Sequence, residues 1–348
     1  MIFSRHLLLY FFIASLHAVV IDTVWGPHSI NDPILEDLLE HPALLRMKEI
    51  DQSGPLPYFN SAPFFSRYDH SIGVLALLDK AGGPLKEQVA GLFHDVSHTA
   101  FSHIGDHLLF ESNHEHSYQD RIHLSFLKFA GVDSAVSSLM TLDELDPDRS
   151  EYKALERPHP NLCADRLQYI VHTGVIFNKI TPAQANLIIN DLDFDGEYWF
   201  FKHKEQARIF GELSIYFTKE LWGSPWNFVF YECFTSTLKR AIALNLITLE
   251  DIKFGTDNHI MEVLNASSDA EIKQGLAIMY NIHDHYMLMP YGDQASSWNV
   301  KPKCRAVDPL VQTEHGLERL SSLDQEYHDA VLTLKNWCST GYGVQLKN

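Results

Sequence analysis

Residues 90–103 read AGLFHDVSHTAFSH, and the two ionisable residues inside that apolar frame, His94 and Asp95, decide how the chain is read. The run that leads into them, LKEQVAGLFHD over residues 85–95, places Leu85, Val89, Leu92 and Phe93 on one side of a helix. His94 and Asp95 thus arrive side by side at the end of an apolar helix. Two adjacent buried ionisable groups are costly unless they are paired or bound to a metal. Successive helical residues point about 100° apart, so the pair can grip two faces of one ion if other helices close its remaining sides.

Working outward, residues 51–69 form a polar, proline-bearing loop, DQSGPLPYFNSAPFFSRYD, that delivers the chain to His70 at the start of the helical run HSIGVLALLDKA. Gly82, Gly83 and Pro84 end that run. Downstream, SHTAFSHIGDHLLF over residues 97–110 is dense in histidine yet apolar every three or four residues, which predicts a turn into a further helix. Further on, LCADRLQYIVHTGV carries Asp165 in a run whose Leu162, Leu167, Ile170 and Val171 repeat at helical spacing. His70 and Asp165 are the candidates for the remaining sides of the ion. Two imidazoles with two carboxylates suit a divalent first-row transition metal, Mn, Fe, Ni, Co or Zn, better than magnesium, which prefers oxygen ligands and retained water and fits better as a second ion. Each of the 20 histidines taken singly reads as an ordinary core or surface residue, and it is the combination that points to a metal.

The rest of the chain is predominantly helical. Residues 34–50, ILEDLLEHPALLRMKEI, predict two short helices or one helix broken at Pro42. Further helices are expected over residues 118–129 and 209–246. Residues 191–208, DLDFDGEYWFFKHKEQAR, alternate around an Asp-Gly pair and predict a small hairpin insertion away from the chemistry. Beyond residue 249 come the short helix HIMEVLNA and a mixed segment ending in LDQEYHDAVLTLKNWC. The fold class is therefore mainly α: a helical bundle around a metal site, with a hairpin and a mixed C-terminal annex.

With 27 basic against 45 acidic residues, a formal net charge of -18, the chain's field repels a long nucleic acid but leaves room for a small phosphorylated substrate, because a metal and a few cations can reverse the sign inside one pocket. Cys163, Cys233, Cys304 and Cys338 form no CxxC pair and read as small apolar side chains, with a Cys304–Cys338 bridge conceivable only on export. At the N-terminus Arg5 and His6 precede LLLYFFIASLHA, which ends at Ala18 in the layout of a secretory signal. An exported protein is therefore favoured over a cytoplasmic one. The apolar stretch is shorter than the ~20 residues a membrane span requires, so no stable membrane span is expected.

Three segments taken together, RYDHSIGV, AGLFHDVSHTAFSH and ADRLQY, resemble in order the HD-domain phosphohydrolases, and particularly their deoxynucleoside triphosphate triphosphohydrolase (dGTPase-like) branch. The resemblance runs from Ile21 to Ser268, with weaker echoes in IDTVWG, NHEHS and FGTDNHIMEVL. It implies an HD domain over residues 19–248, after a signal-like segment over 1–18 and before an α+β annex over 249–348. It also implies His70, His94, Asp95 and Asp165 as metal ligands, and His98, His103, Asp106, His114 and Glu115 as the acid–base and water-positioning group. Arg67, Arg166, Tyr169 and Gln52 become the candidate substrate contacts, and His107 stays on a solvated helix face. The expected reaction is metal-dependent hydrolysis of a phosphoester or phosphoanhydride in a nucleotide, with triphosphohydrolase as the leading subtype. Alternatives are a nucleotide-binding or regulatory module with little turnover and a nucleoside monophosphate phosphatase. Members of the family often form homo-oligomers.

Two departures bear on the subtype. Past ADRLQY the family continues with an arginine–aspartate pair that meets the sugar, where this chain has His172 and Thr173. The family's arginine- and histidine-rich phosphate helix is replaced by LWGSPWNFVFYECF, which leaves Arg67, Arg166 and Lys219 as the cations expected at a triphosphate.

Overall fold

The structure, a computed structural model, describes residues 18–109 and 117–347. The signal-like segment up to residue 17, and with it the expectation of export, lies outside the described residues, as do His114 and Glu115.

A hairpin of β1 (Val19–Thr23) and β2 (Gly26–Ile30) leads into α1 (Pro33–Leu39) and α2 (Pro42–Arg46). Pro42 does not kink one helix. It stands at the first position of a second one, where its missing N–H costs nothing and the His41 ring accepts from the Ala43 N–H.

Next comes α3 (Arg67–Lys80), the central helix. Ser66 caps it by accepting from the Asp69 N–H, and the run from His70 to Leu78 is buried on every side. A helix apolar all round belongs inside a bundle. It packs against α4 (Leu85–Phe93) and, after α5 (Ile104–Leu109), α6 (Tyr118–Phe129) and α7 (Val132–Ala135), against α8 (Ala164–Ile176). The approach of α8 requires Gly73. A Cβ there would stand 2.6 Å from Gln168 Nε2 and 2.7 Å from its Cγ.

The second half begins with α9 (Pro182–Asp191) and the expected hairpin, β3 (Leu192–Phe194) and β4 (Trp199–Phe201). Then α10 (Lys204–Phe217), α11 (Pro225–Ala243), α12 (Leu249–Phe254), α13 (Asp257–Ala266) and α14 (Ala270–Met279) follow. Strands β5 (Tyr286–Met289), β6 (Trp298–Val300), β7 (Leu310–Thr313) and β8 (Gly316–Arg319) precede α15 (Leu320–Leu323), α16 (Gln325–Thr340) and β9 (Tyr342–Leu346). The hairpin is not isolated: β4 pairs in parallel with β7, giving a four-stranded sheet in the order β3-β4-β7-β8. A second sheet has the order β5-β9-β6. One continuous apolar core joins residues from Ile21 to Val344, so the C-terminal elements are packed onto the helical bundle rather than tethered to it. Among the described residues no helix is long and apolar enough to cross a membrane, and the four cysteines are free thiols.

Candidate metal centre

Helix α3 contributes His70 from its first turn, α4 ends on His94 and turns through Asp95, and α8 contributes Asp165 from its own first turn. These elements bring the four side chains together. His70 Nε2 lies 3.2 Å from His94 Nε2, 2.9 Å from an Asp165 oxygen and 3.5 Å from an Asp95 oxygen. His94 Nε2 lies 3.7 Å from oxygens of both carboxylates. His70, His94 and Asp95 are buried.

The second nitrogen of each imidazole fixes what the first can do. His94 Nδ1–H donates to the Gly91 carbonyl at 2.7 Å, and His70 Nδ1–H donates to Gln168 Oε1 at 2.5 Å. Both Nε2 atoms therefore present lone pairs toward each other and toward two carboxylates. Four converging lone pairs repel unless a positive charge sits among them, and this donor set fits one divalent cation. The same demand appears in proton affinity. Burial opposes charge on His94, yet Asp95 and Asp165 outweigh it and push the ring up to about 9. Burial would raise Asp95, but Arg67, His94 and His98 hold it well below the usual carboxylate range.

Around the cluster, Arg67 is almost wholly buried. Its Nη1–H donates to Asp95 and its Nε–H to Ser102 Oγ at 2.7 Å, while Nη2 has no partner. Ser102 and Phe101 sit at φ +55° and +56°, a strained conformation for residues with a Cβ. Asp257 pins this turn, accepting from the N–H of Phe101 at 2.6 Å and of Asp51 at 2.9 Å. On the other side Arg46 donates to the carbonyls of Val96 and His98 and to those of Lys253, Phe254 and Gly255.

His98 Nε2 lies 3.3 Å from Asp95, and its ring meets that of His103 edge-on at 5.1 Å. Burial, then the charge of Arg67, lowers His98 to about 3, so it is neutral at neutral pH. His103 pairs with Asp106 at 3.2 Å, and the other Asp106 oxygen accepts from the Tyr118 N–H at 2.6 Å. The chain thus places Asp95, His98, His103 and Asp106 in sequence along one wall.

That wall belongs to a cavity of about 730 Å³, which also takes in Arg67, Gln52, Tyr169, Asp165 and Arg166. Gln52 Oε1 is buried without a partner. Arg166 departs from its expected role. Its terminal nitrogens donate to the carbonyls of Arg157 and Asn161 in the loop beside the cavity, and among the described residues only its buried Nε is left without a partner. Lys219 is exposed beside Glu220 and does not line the cavity. Of the pair replacing the family's sugar contact, Thr173 lines the cavity, whereas His172 stacks on Phe65 with centroids 3.5 Å apart.

Other lining residues escaped sequence reading. His107 pairs with Glu232 at 2.8 Å on the cavity rim rather than standing in solvent. Glu156, beside the cluster, is pushed up to about 8 by burial and then by Asp165. Trp222, Phe228 and Tyr231 give an aromatic side, and Lys301, Lys303 and Arg305 bring three cations from the C-terminal region. A helix-by-helix reading has no signal for these last three, since KPKCR lies in an irregular segment.

No protein-family model matches the chain. The chain is 32% identical over 297 residues to the uncharacterised Bacillus subtilis protein YdhJ, covering 83% of this chain and 87% of that one. It is 29% identical over 217 residues to cns2 of Cordyceps militaris, a protein named as a metal-dependent phosphohydrolase, covering 61% and 62% respectively. In fold it is similar to a crystal structure of a phosphohydrolase from Bacteroides thetaiotaomicron, with a TM-score of 0.70 and 15% identity over 94% of this chain and 99% of that one. A hypothetical protein from Aquifex aeolicus gives a TM-score of 0.65 at 13% identity, over 89% and 93%.

Proposed function

This chain belongs to the family of B. subtilis YdhJ, and from that premise we propose that it is an HD-type metal-dependent phosphohydrolase acting on a small phosphorylated substrate, a nucleotide in the finer reading. The observation that carries the proposal is the convergence of four lone-pair donors from three helices beside a cation-bearing cavity that His94, Asp95 and Asp165 line.

His70, His94, Asp95 and Asp165 would hold the divalent ion. When bound, such an ion lowers the pKa of a coordinated water and polarises phosphoryl oxygens. Arg67 holds Asp95 in place and keeps one unspent N–H group for a phosphate oxygen. Neutral His98, beside Asp95, is placed to orient a water, and the His103–Asp106 pair further along the wall is the stronger base for its proton. The His114–Glu115 pair, in the reading by resemblance, protonates the departing oxygen. Tyr169, Trp222, Phe228 and Tyr231 offer ring faces, and Gln52 and Asn227 offer unpartnered amide oxygens, which suits a base better than a simple sugar phosphate.

Within that reading, (deoxy)nucleoside triphosphate triphosphohydrolase is the leading subtype. A panel of nucleotide mono-, di- and triphosphates, with the released ion identified by ion chromatography, tests it. Tripolyphosphate release supports the subtype, orthophosphate from monophosphates replaces it with a phosphatase, and no release with metal bound favours the regulatory module.

A further inference from the structure

Residues 303–308, KCRAVD, run past the cavity without regular secondary structure, yet from the Arg305 carbonyl onward the backbone is held at several points by groups distant in sequence. Buried Ser214 Oγ–H donates to the Arg305 carbonyl and accepts from the Val307 N–H. His159 Nδ1–H donates to the Ala306 carbonyl at 3.3 Å, buried Tyr327 donates to the Val307 carbonyl at 2.7 Å, and the Asp308 N–H donates to the Pro160 carbonyl at 3.0 Å. Arg166 on α8 donates to the carbonyls of Arg157 and Asn161, which flank the His159–Pro160 pair that holds residues 306–308, so that part of the segment is tied through this loop to the helix that carries Asp165. An irregular segment held this way has surrendered its freedom in advance, as a preorganised binding element does.

Its side chains are what makes that ordering notable. Lys303 and Arg305 both face the cavity, and among the described residues neither forms an ion pair or a side-chain hydrogen bond. The two repel each other: the guanidinium of Arg305, then burial, then Arg166, lowers the Lys303 ammonium below the usual lysine range, with Asp120 and Glu156 opposing. Among the described residues neither has a carboxylate within ion-pair distance, and Asp120 and Glu156 act on Lys303 only from farther off, so the two cations keep attraction to spare for an anion in the cavity.

We propose that Lys303 and Arg305 form an anion subsite for the phosphate groups of the substrate beyond the one that reacts, so that the C-terminal region supplies the charge that the helical core lacks. This rests on the phosphohydrolase reading for its biological sense, but the subsite binds polyphosphate whether or not turnover occurs. Arginine's fork bridges two oxygens and lysine adds a point charge, a pairing suited to a di- or triphosphate rather than a lone phosphate.

The test is calorimetric titration of inorganic tripolyphosphate into the metal-loaded full chain, comparing wild type with Lys303→Gln/Arg305→Gln and with Lys219→Gln as a surface-charge control. Binding should weaken by roughly tenfold or more in the double variant and stay within about twofold in the control. Lys303 is exposed, so Lys303→Gln alone serves if the double variant has a lowered unfolding midpoint, and it should weaken binding by at least about threefold. Weakening below these values, equal weakening by Lys219→Gln, or no tripolyphosphate binding to wild type overturns the proposal. Binding that depends on Lys303 and Arg305 without hydrolysis of any nucleotide leaves the subsite standing and removes the phosphohydrolase reading instead.

Discussion

Replacing Gly73 by alanine tests how the site is held together. Alanine gains up to about 1 kcal/mol of helix propensity over glycine, so an exposed position would become more stable. Here the added Cβ would stand 2.6–3.0 Å from three side-chain atoms of Gln168, which is itself buried and bonded to His70 Nδ1 and, through its amide N–H, to His172 Nδ1 at 3.1 Å. Gln168 cannot yield without releasing His70. Overpacking of this kind costs roughly 1–3 kcal/mol, so the net expectation is a loss of up to about 2 kcal/mol. Loss of the hydrogen bond that orients a ligating histidine weakens metal binding by about 10–100-fold. Urea unfolding and a metal competition assay read the two effects. In a Gln168→Ala background the space is open, and Gly73→Ala should then stabilise the helix. A Gly73→Ala protein with undiminished stability and metal affinity, or the same loss in both backgrounds, would refute the reasoning.

Arg46→Lys loses the fork that reaches the carbonyls on both sides of the metal turn, and should cost about 1–3 kcal/mol in urea unfolding, because a single ammonium cannot replace it; an unchanged midpoint counts against that role. Asp257 is raised to about 7, chiefly by burial, with the N–H bonds from Asp51 and Phe101 opposing. A raised folded pKa means its contribution is whole below the unfolded value and is lost as pH rises through about 7. Wild-type stability should therefore fall relative to Asp257→Asn between pH 4 and 8, on the order of 1 kcal/mol or more, and parallel profiles for the two proteins would contradict the assignment. Chelator should lower the thermal midpoint and added manganese restore it, in line with about 2.7 kcal/mol at a hundredfold excess over Kd; a midpoint indifferent to chelator would speak against a metal held by the folded state.

The helical frame and the four clustered residues were legible because burial leaves a mark in sequence. His94 and Asp95 interrupt an apolar helix where ionisable groups do not belong without a partner, and Pro42 marks where α2 begins. Charge direction left no such mark. Arg166 follows Asp165 directly, yet the turn of α8 sends its guanidinium into loop carbonyls. Lys219 adjoins the aromatic stretch but faces Glu220. Lys303 and Arg305 reach the cavity only because Ser214, His159 and Tyr327, distant in sequence, hold an irregular segment there. Such tertiary hydrogen bonding has no period to read. Net charge is a sum and says nothing about one cavity, which is why it spoke only against a long nucleic acid.

The central claim is that His70, His94, Asp95 and Asp165 hold a divalent ion on which phosphate release depends. Elemental analysis of the purified chain, run beside phosphate release from a nucleotide panel, tests it on wild type and Asp95→Ala. About one transition-metal ion per wild-type chain, with both metal and turnover lost in the variant, is the predicted result. A wild-type chain that hydrolyses nucleotides without metal, or an Asp95→Ala protein that keeps both, would contradict it.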